Sequence, residues 1–299
     1  MHVLIVGGTG LIGRATTTAL TSAGHDVTVA ARKQVTPPEG AEFAQLDALD
    51  TQAVRRTIEH AAPDAIINVM SAIPDPINPR RMAAQFAATD RLRTEGTRNL
   101  IDAAPGVRLI SESIAFAYDP HGRGAAVEAA PLWSKPPKQF APVLEAVRHL
   151  EQRTRDAGGT VLRVGHLIGP GTSFARDGGG FAAQVAAGKV PLIDGGASMF
   201  SFAHIDDVAG AFVAALSGPV GTYNIVDNDP AAMATWLPTM AERLGARAPR
   251  GAPKAIAKLA VGGWGLAFMT QLRAADNQQA RNRLSWKPER TWRDSLGID

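Results

Sequence analysis

A glycine-rich turn near the amino terminus has the residue types and spacing needed to hold a phosphate. Residues 7–13 give a G-x-x-G-x-x-G pattern between an apolar run, His2–Val6, and a helix-like segment, Leu11–Ala23. Glycine permits a tight turn and close approach of backbone N–H groups to a pyrophosphate, and the helix amino terminus adds positive partial charge. This strand–turn–helix context predicts a dinucleotide site rather than a turn without ligand. The predicted contacts are Gly7, Thr9, Gly10, Leu11, Ile12 and Gly13.

A second apolar run, Asp26–Ala31, ends at two cations, Arg32 and Lys33. A site selective for NAD usually places an acid at this point to accept a hydrogen bond from the ribose 2′-hydroxyl. An arginine here suits a 2′-phosphate instead. We therefore expect NADP(H) as the preferred cofactor, with NAD(H) as the alternative. In the opposing interpretation, the two cations are only a solvated strand end.

The elements that must position this turn alternate between strands and helices. Such alternation predicts a doubly wound parallel sheet of the Rossmann type. The second half is less regular, so we expect a dinucleotide-binding core over 1–165 and a smaller carboxyl-terminal substrate lobe over 166–299, with segments that return to the core. The predicted strands are His2–Val6, Asp26–Ala31, Glu42–Leu46, Asp64–Met70, Val107–Ile110, Thr160–Val164 and Thr222–Val226. The predicted helices are Leu11–Ala23, Asp50–Ala61, Gln85–Ala103, Val143–Ala157, Ile205–Leu216 and Ala231–Leu244.

Composition excludes several classes of function. The 299 residues carry a net charge of only +3 without a dense basic run, which gives no support to nucleic-acid binding. The absence of cysteine excludes disulfides and thiolate chemistry. No apolar stretch reaches the ~20 residues that span a bilayer. We expect a cytoplasmic protein with a small-molecule substrate, no membrane partner and no metal site.

Several further motifs occur in order along the chain. They include Gly96-Thr97-Arg98-Asn99-Leu100, Leu162-Arg163 followed by Gly169-Pro170-Gly171, and Phe202-Ala203-His204-Ile205-Asp206-Asp207-Val208. Together with the glycine turn, they resemble the extended short-chain dehydrogenase/reductase superfamily, in its NAD(P)-dependent epimerase/dehydratase branch. The resemblance implies that Asp47 and Ala48 contact adenine. It also implies that Val69, Met70 and Ser71 form a turn under the pyrophosphate and ribose.

The chain departs from this family where the chemistry occurs. Members of the family that this chain resembles use a Tyr-x-x-x-Lys pair, in which tyrosine is the acid or base and lysine holds the nicotinamide ribose. Neither Tyr118 nor Tyr223 is followed by lysine four residues later. The resemblance places the pair at Val143 and Val147, whose side chains transfer no proton.

Three other residues are candidates for the missing acid or base. The resemblance places Ser113 close to the catalytic serine position, and Tyr118 is the only tyrosine nearby. His166 follows Thr160–Val164, where the family backbone passes the nicotinamide, and histidine titrates near neutral pH. Each also has a structural interpretation. The Ser113 hydroxyl would hydrogen-bond to backbone at the strand end, Tyr118 would form a wall of the pocket, and His166 would be a core or loop histidine. Asp207 is interpreted as a helix cap.

Together with the residues, the resemblance thus implies an NADP(H)-dependent oxidoreductase for a small, partly hydrophobic carbonyl or activated alkene. Two alternatives remain open at this point, an epimerase or dehydratase and a cofactor-binding sensor without catalysis. Apolar segments at Met199–Phe202 and Trp264–Met269 are interpreted either as core or as walls of a hydrophobic substrate pocket. The family resemblance also implies a homodimer, built on Gln85–Ala103 and Val143–Ala157.

Overall fold

A seven-stranded parallel sheet carries the fold in a computed structural model that describes residues 1–297. Its strand order is β11-β6-β5-β4-β1-β2-β3, so the chain winds outward from β1 in both directions. These strands are β1 His2–Val6, β2 Asp26–Ala31, β3 Ala41–Gln45, β4 Ala65–Asn68, β5 Arg108–Ile114, β6 Thr160–Val164 and β11 Thr222–Ile225. The predicted fold class, a doubly wound parallel sheet, is confirmed.

Helices cover both faces of the sheet and build the carboxyl-terminal lobe. They are α1 Leu11–Ser22, α2 Thr51–Ala61, α3 Met82–Arg91, α4 Thr97–Ala103, α5 Ala141–Asp156, α6 Gly180–Ala186, α7 Ile205–Ser217, α8 Met233–Arg243, α9 Lys254–Thr270, α10 Gln278–Arg283 and α11 Trp292–Ser295. The remaining short strands are β7 His166–Ile168, β8 Leu192–Ile193, β9 Met199–Phe200, β10 Phe202–His204, β12 Ala231–Ala232 and β13 Gly251–Ala252.

The long helix predicted over Gln85–Ala103 differs from the observed one in an important detail. It begins earlier, at Met82, and between α3 and α4 it contains a π-helical segment, Leu92–Gly96. A π segment adds a residue to the helical turn and changes the direction of the side chains it carries. No sequence pattern predicted the π segment, because the spacing of apolar residues along a helix does not reveal a single extra residue in one turn.

The cap predicted for α7 was assigned to the wrong residue. His204 is the N-cap, and its Nδ1 accepts from the backbone N–H of Asp206 at 3.3 Å. The Asp207 carboxylate accepts from the backbone N–H groups of Glu289 and Arg290 instead. Asp207 therefore ties the carboxyl-terminal segment to α7.

The apolar core is divided into clusters, with one on each face of the sheet and another that joins the lobe to α3 and α5. Beneath the sheet, α1 and α7 pack together against β1, β5 and β6. In the lobe, Phe200, Trp236 and Trp264 are joined by Phe86 of α3 and Val143 of α5. β11 and α7 return from the second half of the chain to the sheet. The lobe therefore rests on helices of the core and encloses space at the carboxyl edge of the sheet.

Neither a membrane-crossing helix nor a metal-binding cluster occurs in the described part of the chain. Among residues 1–297, no helix is long and apolar enough to cross a bilayer. Within the same range, no three His, Cys, Asp or Glu side chains are grouped so that they could hold a metal ion.

Candidate functional site

The glycine turn connects β1 to α1 at the carboxyl edge of the sheet, and its glycines are sterically required. Gly7 has φ +91°, and a Cβ there would lie 2.6 Å from the carbonyl oxygen of Val69. A Cβ on Gly13 would lie 2.5 Å from the Cα of Gly8. The turn therefore packs directly on the end of β4, and α1 packs directly on the turn. No larger residue reproduces this backbone.

The amino terminus of α1 is open for an anion. Its N-cap is Gly10, which has no side chain to occupy the first N–H groups, and no acid lies in the first turn. A pyrophosphate would accept hydrogen bonds from these N–H groups and interact favourably with the helix dipole. Leu11, Ile12 and Gly13 form this first turn, as the sequence predicted. The backbone present here thus suits the dinucleotide that the motif implies.

One cleft of about 240 Å³ runs along the turn and gathers most of the predicted cofactor residues. Its lining includes Gly7, Thr9, Gly10, Arg32, Lys33, Ala48, Val69, Met70 and Ser71. Arg32 and Lys33 are exposed at the end of β2. Asp47 is exposed beside the cleft, and its carboxylate accepts from the backbone N–H of Leu49 at 3.0 Å, holding the loop that carries Ala48.

The Gly96-Thr97-x-Asn99 motif holds the floor of this cleft from below. Thr97 accepts a hydrogen bond from Asn68 at 3.0 Å, at the end of β4. Asn99 donates to the carbonyl oxygen of Ala48 at 2.9 Å. Gly96 leaves room for Met70, whose Cε would lie 2.9 Å from a Cβ at that position. These contacts fix the loops after β3 and β4.

A second cavity, of about 260 Å³, lies between the sheet edge and the lobe. It begins at Ile73, two residues beyond Ser71 of the cofactor cleft. Its walls are mostly apolar: Ile73, Ile77, Pro79, Met82, Phe86, Ile114, Phe116, Phe140, Val143, Phe174, Phe181, Val190, Val261, Trp264, Phe268 and Met269. The volume is slightly below the ~300–1,000 Å³ of typical small-molecule pockets, so the cavity suits a single ring with a short chain.

His166 lies in an aromatic wall of this cavity. Phe116 stacks on its ring at 4.5 Å between centroids, and Phe200 lies at 4.4 Å on another side. Burial lowers the pKa of His166 to about 3, so the ring is neutral near pH 7. Its Nδ1 donates to the carbonyl oxygen of Ser201 at 3.3 Å, which leaves Nε2 as an acceptor. His166 is therefore a neutral ring in the cavity wall, and it holds no proton on Nε2 to donate.

The side chains that line the cavity at the end of β5 and the start of α5 are aliphatic. Ile114 ends β5 and Val143 lies on the first turn of α5, and both line the cavity. Val147, one turn further on, is fully buried in the lobe core. Neither valine donates a proton or a hydrogen bond, as the sequence indicated.

Comparison with known proteins decides the family. A sequence model of the NAD dependent epimerase/dehydratase family matches residues 3–225. This chain belongs to that family. A 3-diazoavenalumate denitrifying reductase from a Streptomyces species is 42% identical over 309 residues, and the match covers 99% of each chain.

Solved structures of epimerase/dehydratase relatives share the fold across their full length. A UDP-glucose 4-epimerase from Thermus thermophilus, complexed with NAD, has TM-score 0.73 at 22% identity and covers 100% of this chain and 97% of its own. A human epimerase family protein with NADPH has TM-score 0.74 at 23% identity and covers 99% and 97%. Neighbours of this fold therefore bind either dinucleotide.

Two of the predicted catalytic residues lie outside the cavity lining of this epimerase/dehydratase-family chain. The Ser113 hydroxyl is buried and donates to Glu151 on α5 at 2.7 Å. The Tyr118 hydroxyl donates to Asn224 at 2.6 Å and accepts from Arg163 at 2.7 Å. Burial raises the pKa of Tyr118, which opposes ionisation. Both hydroxyls therefore form hydrogen bonds within the protein.

The centre of this arrangement is the Glu151–Arg163 network, defined by Ser113, Tyr118, Glu151, Arg163 and Asn224. Arg163 donates to both oxygens of Glu151, at 2.8 and 2.7 Å. Burial alone would raise the pKa of Glu151, but the hydrogen bonds and charge of Arg163 hold it below its usual value. The network ties β5, β6 and β11 to α5, whose first turn carries Val143.

Much of the cavity lining was not predictable from the sequence. Phe86 and Arg93 lie on the long helix that contains the π segment, and Phe174 and Phe181 lie in a stretch without a predicted strand or helix. Of the two apolar segments predicted as possible walls, Trp264–Met269 lines the cavity, whereas Phe200 packs against His166. The available signal was the high content of aromatic residues in 174–202, but only tertiary packing brings them to the sheet edge.

Proposed function

We propose that this chain is an NAD(P)H-dependent reductase that removes the diazo group of a small aromatic substrate as N₂. The observation that carries the proposal is the aliphatic surface at the sheet edge, Ile114 and Val143, in an aromatic cavity beside a dinucleotide cleft. The full-length match to a reductase named for denitrifying 3-diazoavenalumate points to the same chemistry.

The proposed removal of N₂ requires no acid or base. Bound NAD(P)H supplies a hydride. On an arenediazonium carbon, the ring C–N bond is replaced by a C–H bond and nitrogen leaves as N₂, so the substrate gains two electrons. The hydride cancels the positive charge of the diazonium, and no proton enters or leaves. A carbonyl reduction or an epimerisation at a hydroxyl-bearing carbon does require proton transfer. An aliphatic wall is therefore compatible with this reaction.

The cavity walls contribute position and exclusion of water. Phe116, Trp264 and Phe268 line the cavity, and in this proposal an aromatic substrate packs against their rings. A dry site also protects a diazonium from hydrolysis, since excluding water suppresses side reactions of reactive groups. In this proposal His166 is a neutral wall residue, and Ser113 and Tyr118 hold α5 in place through the Glu151–Arg163 network.

NADPH is the proposed cofactor because Arg32 and Lys33 border the cleft at the end of β2. The Arg32→Ala variant is expected to bind NADPH about 10- to 100-fold more weakly, since a charge-assisted pair with the 2′-phosphate is lost. NADH affinity is expected to change less than about twofold. Nicotinamide fluorescence titration measures both, and Arg55→Ala, an exposed arginine on α2, is the control. Equal weakening of NADPH and NADH would refute the 2′-phosphate contact.

The activity itself is tested with 3-diazoavenalumate and NADPH under anaerobic conditions. One equivalent of N₂ is expected for each NADPH oxidised, with the denitrified arene as product; reactions without enzyme or without cofactor give the background. Tight NADPH binding with no consumption of the diazo compound would contradict the proposal and favour a non-catalytic cofactor-binding protein.

A further inference from the structure

Arg93 is a buried cation at the edge of an apolar cavity. It lies in the π-helical segment Leu92–Gly96, and it is only 6% exposed. Its side chain contributes to the lining of the cavity assigned above to the substrate. The cavity has one other cation, Lys189, which is exposed. Of the two cations that line the cavity, Arg93 is therefore the buried one. It lies on a π-helical segment, a distortion often found at functional sites.

The Arg93 guanidinium lacks a hydrogen-bonded anion. Its Nη1 is buried and has no hydrogen-bond partner among residues 1–297. Asp90 is the nearest acid, but its Oδ1 lies 3.8 Å away and is itself without a partner. Burial raises the pKa of Asp90, and burial also raises the pKa of Glu112 to about 7, with the charge of Arg93 opposing both shifts. Neither acid forms a hydrogen bond with the guanidinium.

A guanidinium in this situation is available to form hydrogen bonds with an anion from outside. Arginine remains charged at all physiological pH values, so it cannot escape the cost of burial by losing its proton. A buried charge without a hydrogen-bonded partner is strongly unfavourable. Its planar fork matches a carboxylate, with two parallel N–H···O bonds.

We infer that Arg93 binds the carboxylate of an aromatic acid and thereby selects anionic substrates for the cavity. The inference rests on the proposed function in one respect, since it takes this cavity as the substrate site. The cavity volume of about 260 Å³ favours a one-ring acid over a nucleotide sugar. A carboxylate held by Arg93 and a ring stacked on the aromatic walls together fix which carbon faces the sheet edge.

Binding to the NADP⁺-loaded protein tests the inference without turnover. The probes are 4-hydroxycinnamate and its uncharged methyl ester, and the readouts are calorimetry and the fluorescence of tryptophan, because Trp264 lines the cavity. We expect the acid to bind about 30-fold more tightly than the ester, the effect of a charge-assisted pair. Equal affinities in the wild type would overturn the inference, and this comparison needs no variant.

Variants then assign the effect to one residue. Arg93→Gln should abolish the preference for the acid while leaving affinity for the ester within about threefold, and Arg93→Lys should restore part of it. Arg98→Gln, an exposed arginine on the same helix, should retain the wild-type preference. Retention of the preference in Arg93→Gln would also overturn the inference, because a group other than Arg93 would then bind the carboxylate.

Turnover separates this inference from the proposed function. If 3-diazoavenalumate and its methyl ester are reduced with equal kcat/KM, the reductase assignment stands and the role of Arg93 is wrong. If neither is reduced but the acid preference depends on Arg93, the carboxylate site stands and the diazo chemistry is wrong. If the acid is favoured through KM, and only in the presence of Arg93, both are supported.

Discussion

The Gly7→Ala variant is expected to lose at least about 100-fold in NADPH affinity, the equivalent of one or two charge-assisted hydrogen bonds to phosphate. At φ +91° an L side chain is strained, and its Cβ would meet the carbonyl oxygen of Val69 at 2.6 Å. Strain of this kind costs roughly 1–3 kcal/mol in stability. The turn must move away from β4 to relieve the clash, and its N–H groups move with it. Fluorescence titration and thermal unfolding measure the two effects separately.

Gly24→Ala is the matched control for this variant. Gly24 also has a positive φ, +80°, but a Cβ there has nothing within 4 Å. It lies just beyond α1, far along the helix from the phosphate turn. A loss of stability with unchanged NADPH affinity is expected. If Gly7→Ala binds NADPH as tightly as Gly24→Ala, the contact between the turn and β4 has no part in cofactor binding.

The Arg163→Met variant is expected to have the largest effect on stability, a loss of about 3–5 kcal/mol. It would leave Glu151, which is 1% exposed, without its bidentate partner and would remove the hydrogen bond to Tyr118. The melting temperature should fall by roughly 5–15 °C. The lowered pKa of Glu151 means that its contribution is complete above the unfolded value, about 4.3, and is lost as the pH falls below it. The difference from the wild type should therefore narrow in acid.

Arg155→Met provides the comparison, because Arg155 contacts the same carboxylate at 3.2 Å from the exposed side. Its side chain is 40% exposed, so a cost below about 1 kcal/mol is expected. Should both variants lose the same small amount, the Glu151–Arg163 network would not be a stabilising element of this fold. A large drop in kcat for Arg163→Met at temperatures where it is folded would instead return Tyr118 to the catalytic candidates.

The part of the site that follows from local backbone rules was predictable from sequence. The glycine turn, the strand before it and the Gly96-Thr97-x-Asn99 support depend on residues close in sequence or on a familiar order of motifs. The absence of a tyrosine–lysine pair was equally predictable, because the resemblance places the pair at Val143 and Val147, which are aliphatic. These features agree with membership of the epimerase/dehydratase family.

The substrate cavity was not predictable in the same way. Whether Ser113 or Ile114 faces the cavity depends on the pleat and the end of β5, which a strand pattern does not specify to one residue. Arg93 reaches the cavity through a π segment, and the pKa of His166 depends on the aromatic rings that surround it. Each of these properties arises from contacts between distant parts of the chain.

Deuterium tracing tests the central claim, hydride transfer without proton transfer, most directly. 3-Diazoavenalumate is incubated in H₂O with NADPH that carries deuterium at C4, on each face in turn, and then in D₂O with unlabelled NADPH. One of the two labelled cofactors is expected to place one deuterium on the ring carbon that lost nitrogen, and the D₂O reaction none. Deuterium at that carbon from D₂O, with none from either labelled cofactor, would contradict the proposed reaction.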